Sequence, residues 1–397
     1  MENRSVDNLL GGQTIRGLEN PINSGPFCNP YNVTDPSQGV YCSAAKDIDA
    51  VINDPDHGIP GNNMEFYGNF NPDNDAIASG KLVPRQQGFV QEQLRLYSSQ
   101  QNRTFLATEV MNYYTEEQVP VLTALVKNYV TFNHWHSDIP GPTYPNRAAL
   151  VSGTSFGMGT NVAGWNQVPT LSQRSIFQQL SETGHSWLNY RPSGGAGDDA
   201  IYFQWTLDSN NTDKLVPTDQ FFIDAAAGQL PEFSYIGDNA FHPAGLVSSG
   251  EAFVKKVYEA LRASPQWKDT LMILTFDEAG GFHDHVPPPL APRPDNQMFT
   301  TTTPSGKNYT FEFDRLGGRV PTLLISPYVT KGYVEQKLVQ SNGEEVSYSA
   351  TSILRTLGYL WDFEPFNPRV EAAASFEHLI RAARRSTPAK LPEVTPF

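Results

Sequence analysis

The segment Leu271–Pro289, LMILTFDEAGGFHDHVPPP, gathers two adjacent carboxylates, Asp277 and Glu278, with His283, Asp284 and His285 close behind. Paired carboxylates beside histidines suit a divalent metal or an acid–base site. Leu271–Phe276 is a short apolar run, preceded by an amphipathic helical pattern and followed by turn residues, and reads as a strand buried in a parallel sheet. That places Asp277 and Glu278 at the carboxyl end of a strand, where open α/β sheets bind ligands. Gly280 and Gly281 permit a tight turn and a close backbone approach. The bland alternative is a turn or capping aspartate with solvated neighbours. On their own these residues support a hydrolytic or metal site and nothing finer.

A second stretch, SDIPGPTYPNRAALVSGTSFGMGTN, has its chemistry at a turn. Pro140, Gly141 and Pro142 force the turn, and Pro145 fits the first turn of a helix continuing through Asn146 to Val151. Thr143 therefore lies at a helix N-terminus, where free N–H groups and the positive dipole end favour phosphate. A hydroxyl there is a candidate nucleophile, and a plain N-cap threonine is the alternative. A third cluster, Asp54-Pro55-Asp56-His57-Gly58, reads locally as a polar turn.

The elements that must position these groups alternate along the chain. Residues 2–85 are loop-rich. Helices are expected over 88–99, 115–129 (N-cap Thr115), 175–182 (stopped by Gly184), 218–227, 249–263 and 351–360. Strands are expected over 130–136, 185–190, 232–236, 271–276 and 319–327. This alternation predicts one α/β domain, residues 1–380, with a largely parallel sheet. The segment 381–397, rich in charge and proline, reads as a loose tail.

Composition narrows the function. A formal net charge of -14 argues against nonspecific nucleic-acid binding. No apolar run is long enough to span a bilayer, and no basic block marks a membrane-surface patch. Two cysteines, Cys28 and Cys42, lie close enough to close one disulfide or to remain free thiols. Glycosylation sequons at Asn32, Asn102, Asn210 and Asn308 lean toward a secreted or cell-surface protein, with a weaker one at Asn3. The opening MENRSVDNLL carries no signal segment and no buried first strand, so both are expected upstream of Met1.

Together these stretches resemble the phosphoesterase family that holds bacterial phospholipases C, plant non-specific phospholipases C and certain acid phosphatases. MENRSVDNLLG is similar to its opening ENRSFD motif, and GPTYPNR to its nucleophile motif. GDNAFHP is similar to its His-Pro segment. TFDEAGGFHDHVPPP and FDRLGGRVPTLLISPYVTKGYV resemble its late motifs. The resemblance covers Glu2 to about Leu360 and implies an α/β/α sandwich like that of the alkaline-phosphatase superfamily. It implies one divalent metal ion on Glu2, Asn3, Thr143, Asp277 and Glu278, with Thr143 as nucleophile. Asn146 would donate to a phosphoryl oxygen, and His242 or His57 would protonate the leaving group. Arg147 is a phosphate-binding candidate or a helix-face salt bridge. His285 is a substrate contact or a brace for its loop, and His134, His136 and His185 are expected to be structural.

Two departures stand out. Relatives often carry a second His and an Asp after the His-Pro pair, where this chain reads Ala244-Gly245-Leu246. They often read E-H-S-S before the last helix, where this chain reads Ser349-Ala350-Thr351-Ser352. The resemblance implies phospholipase C-like cleavage of phospholipid head groups, with transient membrane-surface contact. An acid phosphatase acting on small phosphate monoesters is the near alternative. A catalytically weak secreted protein that binds lipid or a surface is the alternative of another class.

Overall fold

The computed structural model describes residues 1–161, 170–192, 197 and 199–397. Its architecture is mixed α/β, in two main sheets. Three strands, in the order Leu215–Pro217, Trp187–Arg191, Phe233–Ile236, form a sheet that is parallel throughout. Four strands form the other, in the order Met272–Leu274, Leu323–Ile325, Val130–Phe132, Tyr333–Glu335. Here only Leu323–Ile325 runs against its neighbours, while Tyr333–Glu335 pairs parallel to Val130–Phe132.

The first residues of the chain stitch the two sheets together at their carboxyl ends. The Met1 amino group donates to the Thr275 carbonyl at 3.1 Å, and the Asp277 N–H donates to the Met1 carbonyl at 3.2 Å. The Glu2 N–H donates to the Ala240 carbonyl at 3.2 Å.

Apolar clusters explain the layering. One joins the helices Pro120–Asn128 and Val247–Ala263 to the four-stranded sheet. Val254, Val257, Tyr258 and Leu261 recur at helical spacing on the buried face of Val247–Ala263, each stabilising by about 1.5–3 kcal/mol. A second cluster joins Thr143–Ser152, Ile176–Thr183 and Thr351–Trp361 around Trp187. Trp187 and Tyr190, on one strand, belong to different clusters, so that strand is covered on both faces.

Three expectations shift. The helix expected from Thr115 begins at Pro120, because proline has no N–H for a helix interior but suits its first turn. The run 130–136 breaks after Phe132 and resumes briefly as Trp135–His136. The segment 381–397 is packed rather than loose. Lys255 donates to the Leu391 carbonyl at 2.9 Å, Tyr258 to the Pro388 carbonyl at 2.6 Å, and Trp267 to Thr387 Oγ1 at 3.2 Å. Leu391 is buried, so burial of a few apolar groups overrides the polar composition.

Cys28 and Cys42 are disulfide-bonded across the hairpin of Cys28–Pro30 and Val40–Cys42. Among the described residues no helix is long and apolar enough to cross a membrane.

Candidate functional site

Thr143 is the first residue of the helix Thr143–Ser152, so its hydroxyl sits at a helix N-terminus as its prolines dictate. Its Oγ1 lies 3.3 Å from Glu2 Oε1 and 3.3 Å from Glu278 Oε1, although the three residues are far apart in sequence. All three are buried. Burial, reinforced by Asp277, pushes Glu2 up to about 7, and burial with the charges of Asp277 and Glu2 holds Glu278 well above the usual carboxylate range.

Asn3 completes the rim in a left-handed conformation, φ +54°, which asparagine tolerates better than most residues. Its N–H donates to Asp277 Oδ1 at 3.2 Å. Gly280 passes so close that a Cβ there would lie 2.7 Å from the Asn3 backbone, the close approach expected of that glycine. Asp277 Oδ1 also accepts the Glu278 N–H at 2.8 Å, and its Oδ2 accepts from Arg147 Nε at 3.0 Å.

Arg147 is buried and lies among acids. Besides Asp277, it approaches Glu2 Oε2 at 3.7 Å and Asp199 Oδ1 at 3.8 Å. Burial alone would lower its pKa, but Asp199, Asp277 and Glu2 outweigh that and raise it. Its guanidinium neutralises the floor of the site, which matches the salt-bridge alternative.

Asn146 departs from expectation. Its Nδ2 donates to the carbonyls of Ile139, Gly141 and Pro142, and its Oδ1 accepts the Ile139 N–H at 3.0 Å. The side chain is buried and saturated by the turn before Thr143. It braces that turn and has no donor left for a phosphoryl oxygen.

The structure brings the two candidate acids together. His57 Nε2 lies 3.9 Å from Glu278 Oε1, and its Nδ1 hydrogen-bonds the Pro55 carbonyl at 2.8 Å. His242 Nε2 lies 3.9 Å from Asp54 Oδ2. Burial lowers the pKa of His242, and Asp54 opposes the shift.

His285 sits elsewhere. Its Nδ1 lies 2.8 Å from Asp7 Oδ2, and its ring stacks on Phe27 with centroids 3.9 Å apart. It therefore braces its loop. Among the described residues Asp7, Asp284 and His285 form the acid–histidine group whose donor atoms all lie within 4.8 Å of one another. Arg319 already serves both carboxylates there, bonding Asp284 Oδ1 at 2.8 Å and Asp7 Oδ1 at 3.0 Å. His134 and His136 are buried, with pKa values lowered by burial to about 4 and about 3. His185 pairs with Glu232.

The cluster around Thr143 suits a divalent cation better. Glu2 Oε2 and both polar atoms of the Asn3 side chain are buried without a hydrogen-bond partner. Buried oxygens left unpaired are costly, and hard cations favour carboxylate, amide and hydroxyl oxygens. Glu2, Asn3, Glu278 and Thr143 supply such a set, with Asp277 beside it.

The phosphoesterase family model matches residues 1–364. Non-specific phospholipase C6 of Arabidopsis thaliana is 33% identical over 428 residues, spanning 100% of this chain and 74% of that protein. Non-specific phospholipase C1 of the same plant is 33% identical over 411 residues, spanning 99% and 72%. Hemolytic phospholipase C of Pseudomonas aeruginosa is 27% identical over 299 residues, spanning 63% and 39%. Among solved structures, a protein in the alkaline phosphatase superfamily from Vibrio parahaemolyticus overlaps with a TM-score of 0.39 at 14% identity, covering 68% of each chain. With a match over nearly its whole length and relatives at a third identity, this chain belongs to the phosphoesterase family.

Proposed function

We propose that this chain is a metal-dependent phosphoric ester hydrolase that releases the head group of phospholipids, as a phospholipase C does, with Thr143 as nucleophile. The observation that carries it is the Thr143 hydroxyl at a helix N-terminus, 3.3 Å from each of two buried glutamates. The relatives named non-specific phospholipase C point to the substrate class.

A hydroxyl is a poor nucleophile at neutral pH. Glu2, Asn3, Glu278 and Thr143, with Asp277 beside them, would hold a divalent ion, which would supply charge favouring deprotonation of the hydroxyl and offsetting phosphoryl charge. The Thr143 hydroxyl passes its proton to one of the two glutamates to which it donates, Oγ1 attacks phosphorus, an Oγ1–P bond forms, and the bond from phosphorus to the glycerol oxygen breaks. The electron pair goes to that oxygen, which takes a proton from the histidine wall formed by His57 and His242. Water then attacks the phosphothreonine phosphorus, a histidine takes the water proton, and the Oγ1–P bond breaks as Oγ1 recovers its proton from the glutamate. The positive end of the helix Thr143–Ser152 lies at the hydroxyl and favours the transferring phosphoryl charge. Arg147 keeps the carboxylates below it from repelling the substrate.

Phosphocholine release from phosphatidylcholine tests this, before and after chelation and with metals restored singly. Release that chelation abolishes and one divalent ion restores is the expected result. Turnover of p-nitrophenyl phosphate alone would make the protein a phosphomonoesterase. Vesicle binding without product, in metal-replete buffer, would make it a binding protein.

A further inference from the structure

We propose that Asn161 is a further residue of the site, whose side-chain amide donates to a non-bridging oxygen of the transferring phosphoryl group. This deepens the reading of Thr143 as nucleophile and rests on it. The donors expected from the sequence are engaged elsewhere. Asn146 is saturated by the turn before Thr143, and Arg147 is held by Glu2, Asp199 and Asp277.

Asn161 is placed by a hydrogen bond: the Tyr144 N–H donates to its Oδ1 at 2.9 Å, from 17 residues away in sequence. Tyr144 directly follows Thr143 in the first turn of the helix Thr143–Ser152. Pro142, the cap, has no side chain to accept that bond, and Pro145 has no N–H. Asn161 therefore caps the helix from a separate loop, beside the hydroxyl. An amide that accepts through its oxygen keeps its Nδ2 as a donor. Among the described residues that Nδ2 has no partner, and Asn161 is exposed while Thr143, Glu2 and Glu278 beside it are buried. It borders the open side of the site. Independently, Glu2 Oε2 and the Asn3 amide, buried and unpartnered, mark the same end of the helix as a place for a ligand.

The loop is built to bring Asn161 there. Gly153, with φ +77°, ends the helix, and the chain then returns to the helix start. Thr154 Oγ1 donates to Asp295 and accepts the Phe156 N–H at 2.9 Å. Ser155 Oγ donates to the Met158 carbonyl at 2.6 Å, and Met158 is buried in the cluster around Trp187. Gly159 packs on Phe299 so closely that a Cβ would lie 2.3 Å from the ring. A donor held this way beside Oγ1 stabilises charge that grows on the phosphoryl oxygens during attack.

Two variants of the whole chain separate donor from cap. Asn161→Ala removes both bonds and adds no charge. Asn161→Asp keeps an acceptor for the Tyr144 N–H and removes the donor. The readouts are kcat/KM on phosphatidylcholine, orthovanadate affinity by titration calorimetry, and melting temperature. Both variants are expected to lower kcat/KM about 100-fold. Both should weaken orthovanadate binding about 10-fold. Asn161→Asp should melt as the wild type does. Loss in Asn161→Ala alone overturns the proposal and leaves Asn161 a helix cap. Loss in Asn161→Asp alone overturns it too, since charge repulsion then accounts for the effect. So does unchanged orthovanadate affinity in both variants. If the wild type turns over only p-nitrophenyl phosphate, the phospholipase reading falls, and the same comparison on that ester still decides the role of Asn161.

Discussion

Gly280→Ala is a direct test of how the site is assembled. Gly280 has φ +67°, and an added Cβ would sit 2.7 Å from the Cα and carbonyl carbon of Asn3, backbone atoms that cannot swing aside. Left-handed backbone costs a residue bearing a Cβ about 1–2 kcal/mol. Overpacking of this kind adds about 1–3 kcal/mol. The expected destabilisation is therefore about 2–5 kcal/mol. Gly343→Ala separates the two contributions, because Gly343 has φ +83° and nothing within 4 Å of the added Cβ. It should carry only the backbone cost, about 1–2 kcal/mol. Any movement that relieves the Gly280 clash displaces Asn3, whose side chain belongs to the proposed cation site. A shift of about 1 Å there should cost roughly 100-fold in turnover. Urea unfolding and phosphatidylcholine hydrolysis of the two variants provide the comparison. Equal destabilisation, with turnover of Gly280→Ala intact, would refute the claim that this contact sets Asn3.

Thr143→Ala should lower phosphatidylcholine turnover about 1,000-fold or more, with Thr143→Ser retaining much of the rate because it keeps a hydroxyl; comparable rates for Ala and Ser would remove Thr143 from the chemistry. Arg319→Met strands Asp7 and Asp284 and should destabilise by about 3–5 kcal/mol in urea unfolding at pH 7.5. That deficit should shrink at pH 5, because burial pushes Asp7 up to about 6, so it is largely protonated there and needs no partner. Burial holds His136 and His283 down at about 3, below the ordinary 6.5, so the unfolded chain binds more protons between those values. Each therefore stabilises fully above pH 6.5, and that contribution falls by about 1.4 kcal/mol per pH unit as the pH drops toward 3. His136→Gln should flatten the acid limb of a stability-versus-pH curve by that slope; an unchanged slope would show that the ring is protonated in the fold. Cys28→Ser with Cys42→Ser should cost about 3 kcal/mol from the freed loop, read as a lower urea midpoint with turnover retained at low temperature.

Much of the fold is legible in local pattern. The helix Thr218–Ala227 has the bounds its sequence gives, and Ile176–Thr183 stops at Gly184, which adopts φ +83° as an αL cap. Both follow from periodicity and punctuation, which are properties of adjacent residues. The antiparallel setting of Leu323–Ile325 is not legible this way, because a buried apolar run carries no mark of direction. Helix Ile59–Tyr67 was hidden for a similar reason: asparagines and glycine interrupt its apolar face, and its Gly58 cap forms no side-chain bond.

The site divides along the same line. Thr143 is legible because the prolines around it force a turn and then a helix start, and Glu278 because it closely follows the strand Met272–Leu274. Asp54, Asp199 and the saturation of Asn146 depend on partners brought from distant segments. Arg147 and Arg319 show what a sequence alone does contain. Each lies in an otherwise apolar or small-residue stretch, and a guanidinium buried in such a stretch must be met by carboxylates. In the structure those carboxylates are Asp7 and Asp284 for Arg319, and Asp277 and Asp199 for Arg147. These pairings also explain why neither arginine is free to clasp a substrate phosphate. Anion recognition is left to the helix N-terminus at Thr143 and to the proposed cation site.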